Sequence, residues 1–375
     1  MPACLTIDRL IARRVQIPLK VPFRISVGEV AAKDFVVLEG HCGPWCGWGE
    51  AAVDGIPFYT SETSETVLSV GRDVLAPLMR SRPWSHPREL AEAMTAVRGH
   101  SFAKAAFESV LWDLLGQSEG MSVAHLLADD PSQVQPWVEV GPSVGIKESP
   151  DRLVEAVGRE LAKGYRRVKV KVCPGKDVAY LDAVRAAYPD ITLMVDANAA
   201  YQPDDIGHLA AWDRYDLVMI EQPLDHDDLW FHRQLCERME TPICLDESIQ
   251  TPHLARCAIE MKAADIVNIK VGRVAGLVNT KRIHDMCQQA GVPIWIGSRL
   301  GSGIAEAGRL AAASLLNATF PTDVGAGLSY MADDLVDGWF ELRGGCEAKV
   351  PIGPGLGIRV NRDKLERYTV EIAEW

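Results

Sequence analysis

Five ionisable residues, Lys171, Asp196, Glu221, Asp246 and Lys270, stand 25, 25, 25 and 24 positions apart. Each closes a short apolar run with the pattern of a buried strand. The three acids are hard oxygen donors with no cysteine or histidine among them, a set that suits Mg²⁺ better than zinc. Crowded together they would repel, so either a divalent cation neutralises them or Arg and Lys side chains do so as salt bridges. Lys169 and Lys171 lie two apart on one strand and face the same way. Crowding there lowers the pKa of at least one, which fits it for general-base work near pH 7. Lys270 belongs to a strand on the other side of the set. Two lysines flanking one substrate carbon can take a proton from one face and return it to the other, while a metal holds the substrate carboxylate and stabilises an enediolate.

A step of about 25 residues is the length of one strand, one helix and their two loops. Charges at the same end of successive parallel strands share one mouth if the strands close into a barrel. A single acid after a strand is more often a turn or cap residue, but five in phase argue for a common site. Strands are expected to start near Trp137-Val-Glu-Val140, continuing through Ser143, with a seventh at 292–297 and a short eighth at 320–324. Helices are expected over 150–163, 177–187, 203–212, 228–240, 252–261, 277–290 and 303–316. This gives a (β/α)7β modified TIM barrel over residues 135–325. Before it, residues 4–20 read as a strand, 21–28 as a loop, and 35–40 with 48–52 as a hairpin. Helices follow at 62–79, 87–97 and 102–117, the last with Phe102, Ala105, Ala106, Val110, Leu111 and Leu114 on one face. Residues 1–131 thus form an α+β capping domain, completed by 330–375. In that tail little helix is expected, and 353–360 reads as a loop and strand returning to the first domain.

The formal charge of −12 argues against nucleic-acid or anionic membrane partners. No apolar run approaches the roughly 18 residues of a membrane span, and the N-terminus lacks a signal-like apolar core. A cytoplasmic location is the expectation. Nine cysteines, an odd number, read as reduced thiols rather than a disulfide framework. Cys42-Gly-Pro-Trp-Cys46 has one residue too many for a thioredoxin-like motif and reads as a hairpin turn.

Lys169-Val-Lys171, Asp196-Ala-Asn198, Glu221-Gln-Pro223, Asp246-Glu-Ser248 and Asn268-Ile-Lys270-Val-Gly-Arg273, in this order and spacing, resemble the enolase superfamily and its muconate-lactonizing-enzyme subgroup. Gly47-Trp-Gly-Glu-Ala51, Pro57-Phe-Tyr59, Ala103-Lys-Ala-Ala106 and Gly353-Pro-Gly-Leu-Gly357 extend the likeness over nearly the whole chain. The wording is nearest the N-succinylamino acid racemases and o-succinylbenzoate synthases. The resemblance implies that Asp196, Glu221 and Asp246 bind Mg²⁺, with Mn²⁺ as a substitute. It implies that Lys171 and Lys270 are the acid/base pair and that Lys169 orients the substrate carboxylate. Ser143, Asn198 and Ser298 would line the pocket, and loops carrying Phe23 and Tyr59 would close over it. A small-molecule carboxylate is the partner so implied, and a homo-oligomer is an expectation from relatives. The activity implied is racemisation or epimerisation of an N-acyl, notably N-succinyl, amino acid. Elimination by an o-succinylbenzoate synthase-type dehydratase or a muconate-type cycloisomerisation stands beside it, and a non-catalytic barrel is the remaining alternative.

The chain departs from that branch after strand seven. Gly297-Ser298-Arg299-Leu300-Gly301 replaces an apolar residue with Arg299 and an acid with Gly301. Arg299 either binds a second substrate carboxylate or pairs with a neighbouring acid such as Glu306. Asp323-Val-Gly325 lacks the Asp-x-Asp that dipeptide epimerases use for an ammonium group, so a substrate without a free amine is expected.

Overall fold

The computed structural model describes residues 4–25, 28–57, 59–325, 328, 330–338 and 340–375, with the backbone alone at 21, 23–25 and 28–30. With strands numbered in chain order, β1 (Arg9–Ile25), β2 (Gly28–Cys42) and β3 (Trp45–Ala51) form an antiparallel meander. In β1, Val15, Ile17 and Leu19 are buried while Gln16, Pro18 and Lys20 between them are exposed, the alternation of a strand with one covered face. In β2, Phe35 to Leu38 are buried on both faces. The sheet is therefore sandwiched. Helix Ser101–Glu119 covers one side through Val110, Leu111 and Leu114. The close approach depends on two glycines of β3, because a Cβ on Gly49 would lie 2.0 Å from the carbonyl oxygen of Ala106 and one on Gly47 2.5 Å from that of Val110.

After β4 (Trp137–Glu139) come the strands of a second sheet, β5 (Ser143–Val144), β6 (Arg167–Lys171), β7 (Thr192–Asp196), β8 (Ile220–Glu221), β9 (Ile243–Leu245), β10 (Ile266–Ile269) and β11 (Ile294–Ile296). All seven are parallel and neighbour one another in sequence order. Parallel bridges Ile294↔Ala318 and Val140↔Thr322 carry the ring from β11 back to its start, which completes the modified barrel. Helices Pro150–Ala162, Asp177–Ala187, Pro252–Met261, Leu277–Ala290 and Gly303–Ala313 join these strands. Ser149, Thr251 and Ser302 accept from backbone amides of the turns they start, as N-caps do.

Several expectations need correction. Trp137–Glu139 does not open the barrel. It pairs with the hairpin β12 (Leu342–Arg343) and β13 (Glu347–Lys349), and Ser143–Val144 takes its place. The eighth strand is reduced to single bridges around 318–322. Residues 21–25 and 28 belong to β1 and β2 rather than to a loop. The tail does contain a helix, Arg362–Tyr368, capped by Asn361. The strand that returns is β14 (Thr369–Glu374), paired antiparallel with β1, and not residues 353–360. Helix Ser101–Glu119 buries Lys104, Glu108 and Asp113 besides its apolar face. All nine cysteines are free, and Gly43-Pro44 is the β2–β3 turn. Among the described residues no helix is long and apolar enough to cross a membrane.

The two sheets meet at Glu50, at the end of β3. Its carboxylate accepts from the amide of Ser302 at 3.1 Å and from the Ser302 hydroxyl. Burial pushes this carboxyl up to about 7, against the pull of those hydrogen bonds and of Arg309. In an unfolded chain it would titrate near 4.5, so the folded state holds the proton more tightly between those values. Its contribution to stability is complete below pH ~4.5 and is lost as the pH rises through ~7. Glu50→Gln is expected to flatten this fall by about 3 kcal/mol, read as unfolding free energy by urea titration at pH 5 and pH 8. An unchanged pH slope in the variant would refute the assignment.

Candidate active site

β6, β7 and β8 place Lys171, Asp196 and Glu221 at one level, since the parallel register pairs Lys171 with Asp196 and Asp196 with Glu221. Directly paired residues share a face of the sheet. Asp246 follows β9 and Lys270 follows β10, so the five residues of the 25-residue spacing converge on one end of the ring. Lys169 lies one layer deeper, level with Ser143, with its ammonium 4.8 Å from the centre of the Trp295 ring. Three strands stand between β6 and β10, so Lys171 and Lys270 enter from different sides.

Each carboxylate of the set is held by cations. Lys171 Nζ donates to Asp196 Oδ2 at 2.6 Å and to Asn198 Oδ1 at 2.5 Å. Lys169 Nζ donates to Glu221 at 3.0 Å and to Asp323 at 3.1 Å, and lies 3.6 Å from Asp196. Lys270 Nζ donates to Asp246 Oδ2 at 2.6 Å, and Arg273 donates to its other oxygen. The salt-bridge alternative therefore describes the side chains as they stand. The expectation of a lowered pKa by lysine crowding fails at Lys169. Burial works to lower it, but Asp323, Glu221 and Asp196 outweigh that and raise it well above the ordinary value.

Glu221 shows what these cations leave uncompensated. Burial first, then the charge of Asp196, pushes its carboxyl up to about 8 despite Lys169. Against the burial that would raise them, Lys171 and Lys169 hold Asp196 below its usual range, and Arg273 and Lys270 do so for Asp246. Oε2 of Glu247 and Oδ1 of Asn268 are buried without a partner among the described residues. An all-carboxylate donor set with an underneutralised member and orphaned oxygens beside it fits a hard divalent cation in kind. The tighter clusters of three ligand atoms lie elsewhere. Of these, the first joins His41 and Cys46 to Glu39, whose carboxylate Arg13 and Arg362 already neutralise, and the second, Asp225, His226 and Asp227, is exposed.

The strand ends are held in unusual backbone. Asn198, Ala199 and Gln222 have positive φ, of 44°, 59° and 39°, a conformation that persists in non-glycine residues only where surroundings enforce it. Gln222 is so enforced: its Oε1 accepts from the amides of Asp246 and Ser248, and its Nε2 donates to Leu224 O and Ser248 Oγ. This one side chain ties the loop after β8 to the loop after β9. Gly297 has a different reason, since a Cβ there would lie 2.4 Å from Asn268 Oδ1. Asn268 in turn donates to Glu221 Oε1 at 2.8 Å.

Tyr59 reaches in from the covering loop. Its hydroxyl lies 2.8 Å from Lys270 Nζ, 3.0 Å from Arg273 Nη2 and 3.0 Å from Glu247 Oε1. Asn198 Nδ2 also donates to Glu247 Oε1, at 2.9 Å. The Phe23 side chain lies outside the described residues. Ser143 borders a cavity of about 50 Å³ with Asp323 and Tyr330, and neither Lys171 nor Lys270 lines it. Ser298 turns its hydroxyl away, donating to Glu306 at 2.6 Å and accepting from Arg309 at 3.0 Å. Arg299 does not pair with Glu306, which Arg309 holds at 2.7 Å. Its partner is Asp54 of the covering segment. Glu247, Asn268 and Arg273 stand within the strand-end motifs and Asp323 in the segment that lacks an Asp-x-Asp, but the sequence reading gives none of the four a role in the site. Asn268 was detectable as a polar side chain inside an apolar strand, two positions before Lys270 and so on the same face.

Residues 8–128 match the family model of the mandelate racemase/muconate lactonizing enzyme N-terminal domain, and residues 152–364 match the enolase C-terminal domain-like family. The chain is 41% identical to an o-succinylbenzoate synthase of Geobacillus kaustophilus over 97% of its length and 96% of that protein's. It is 37% identical to an N-succinylamino acid racemase of Amycolatopsis sp., over 95% of this chain and 96% of the relative. A solved enolase-superfamily structure from Listeria innocua superposes with a TM-score of 0.93 at 32% identity, covering 99% of both chains. With both family models matched along its length and such relatives sharing its fold, the chain is an enzyme of the enolase superfamily, in the mandelate racemase/muconate lactonizing enzyme branch.

Proposed function

We propose that the enzyme removes the α-proton of a small carboxylate and, on an N-acylated amino acid, returns a proton to the opposite face, acting as an N-acyl amino acid racemase. The observation that carries this reading is the placement of Lys171 at the end of β6 and Lys270 just after β10, with three strands between them, each beside a carboxylate of the same set. In each direction one lysine is neutral and accepts the proton at Nζ, while the other, as an ammonium, donates one to the planar carbon. Lys169, charged and fixed by three acids, orients the substrate carboxylate. Asp196, Glu221 and Asp246 would hold Mg²⁺ or Mn²⁺, which when bound supplies positive charge to the carboxylate as negative charge develops on it. Asn198 and Ser143 would line the pocket. Residues 1–131 with 330–375 would form a cap over the barrel of 135–325, and Tyr59 would exclude water from the reacting centre.

A second reading is elimination of water, with one lysine taking the proton and the other stabilising charge. The name of the G. kaustophilus relative, o-succinylbenzoate synthase, favours it. The experiment is incubation in D₂O with Mg²⁺, followed by NMR and polarimetry, on N-succinyl and N-acetyl amino acids and on β-hydroxy acids able to lose water. Loss of optical rotation with α-deuteration supports the racemase. Formation of the alkene without racemisation of any amino acid derivative supports the second reading and defeats the first.

A further inference from the structure

Arg299 follows β11 at the barrel mouth and is only 9% exposed. Its guanidinium carbon lies 4.8 Å from the centre of the Tyr59 ring and 5.5 Å from that of Phe102. Nη2 donates to Asp54 Oδ2, but Nε and Nη1 are buried with no partner among the described residues. The Asp54 carboxylate is also shared. Lys33, buried in β2, donates to its other oxygen at 2.6 Å. Arg273 adds a further like charge on the Tyr59 side, while Glu50 reaches Lys33 more weakly. Two buried cations thus divide one anion, and burial together with the charge of Arg299 pulls the Lys33 ammonium down to about 8.

An unmatched buried cation with free N–H groups calls for an anion, and a guanidinium's planar fork is shaped for a carboxylate. The position suits a substrate. Lys270 Nζ lies 5.1 Å from the same Tyr59 ring centre, so Arg299 and the proton-transferring Lys270 border one aromatic ring, a separation of the order of a small substrate's length. We propose that Arg299, assisted by Lys33, binds a second carboxylate of the substrate, making the enzyme selective for N-acylated amino acids that carry two carboxylates. This rests on the reading under Proposed function and specifies its substrate. The second carboxylate belongs either to the acyl arm, as in a succinyl group, or to the side chain, as in glutamate.

The test compares kcat/KM for α-deuterium exchange within two isosteric pairs: N-acetylglutamate against N-acetylglutamine, and N-succinylglutamine against the corresponding succinamide. Expected is a preference of at least tenfold for the charged member of one pair, expressed mainly in KM, and the pair that shows it identifies the source. Arg299→Met should bring that ratio close to one, and Arg299→Lys should keep part of it. Asp54→Asn, which removes the competing carboxylate, should raise it. Should Arg299→Met fail to fold, the lysine and Asp54 variants carry the comparison. Ratios near one in the natural enzyme, or a ratio that survives in folded Arg299→Met, overturn the proposal while leaving the racemase reading intact. No exchange with any of the four compounds overturns this proposal alone where other N-succinyl or N-acetyl amino acids still exchange, and both readings where none does.

Discussion

Lys270→Ala is expected to slow α-proton exchange by about 10²–10⁴-fold, and Lys171→Ala by a similar factor, the range that a positioned acid/base contributes. The informative part is stereochemical. Each variant keeps one lysine, so residual exchange in D₂O should be confined to one enantiomer, and to opposite enantiomers in the two variants. Equal residual exchange from both enantiomers in either variant would remove the two-base arrangement. The folded state should tolerate both changes, because Asp246 retains Arg273 and Asp196 retains Lys169 as partners. Lys169→Met should behave differently. It leaves Glu221 and Asp323 without their ammonium in a fully buried setting, which costs about 3–5 kcal/mol when a buried pair is broken. Thermal denaturation separates the two kinds of loss, with Lys169→Met melting lower and the other two melting near the natural enzyme.

Chelation is expected to abolish exchange, and Mg²⁺ or Mn²⁺ should restore it. The carboxyl of Glu221, pushed up to about 8 by burial and by Asp196, marks the set as short of positive charge even with the lysines in place. A cation bound there should also stabilise the fold, by about 2.7 kcal/mol at a hundredfold excess over its dissociation constant. The melting temperature should therefore rise with Mg²⁺ and saturate, and Asp246→Asn should move that saturation to higher Mg²⁺. Full activity after exhaustive dialysis against chelator, with no Mg²⁺-dependent melting shift, would exclude these residues as a metal site.

The 25-residue spacing was legible because each βα unit repeats the same physics. An apolar run needs burial, a loop must turn, and a helix must return the chain. Helices Asp177–Ala187, Pro252–Met261 and Leu277–Ala290 were legible to the residue for the same reason. The tail was not. The helix Arg362–Tyr368 has one buried residue, Leu365, and β14 is exposed along much of its length, so neither carries the periodicity that burial writes into sequence. Trp137–Glu139 read as a barrel strand because its alternation is real, but strand partners are chosen by tertiary contacts that a local pattern does not contain. In the site, the lysines and acids of the motif were visible by type and phase. Which cation meets which acid was not, because Asp54 and Arg299 are separated by the whole barrel in sequence and joined only by the closed cover. Asp323 was read for the motif it lacks, and its role as a partner of Lys169 follows from ring closure.

The pairing of β14 with β1 gives the covering sheet a timetable. During translation β1 emerges early, but its partner at Thr369–Glu374 leaves the ribosome after every barrel strand has been made. The catalytic ring, built from neighbours in order, can close progressively, whereas the outer edge of β1 stays open until residues 369–374 have been made. An unpaired edge is a template for other chains. The nascent protein therefore completes its catalytic ring while that edge is still uncovered, and removing residues 369–374 would leave the edge uncovered for good.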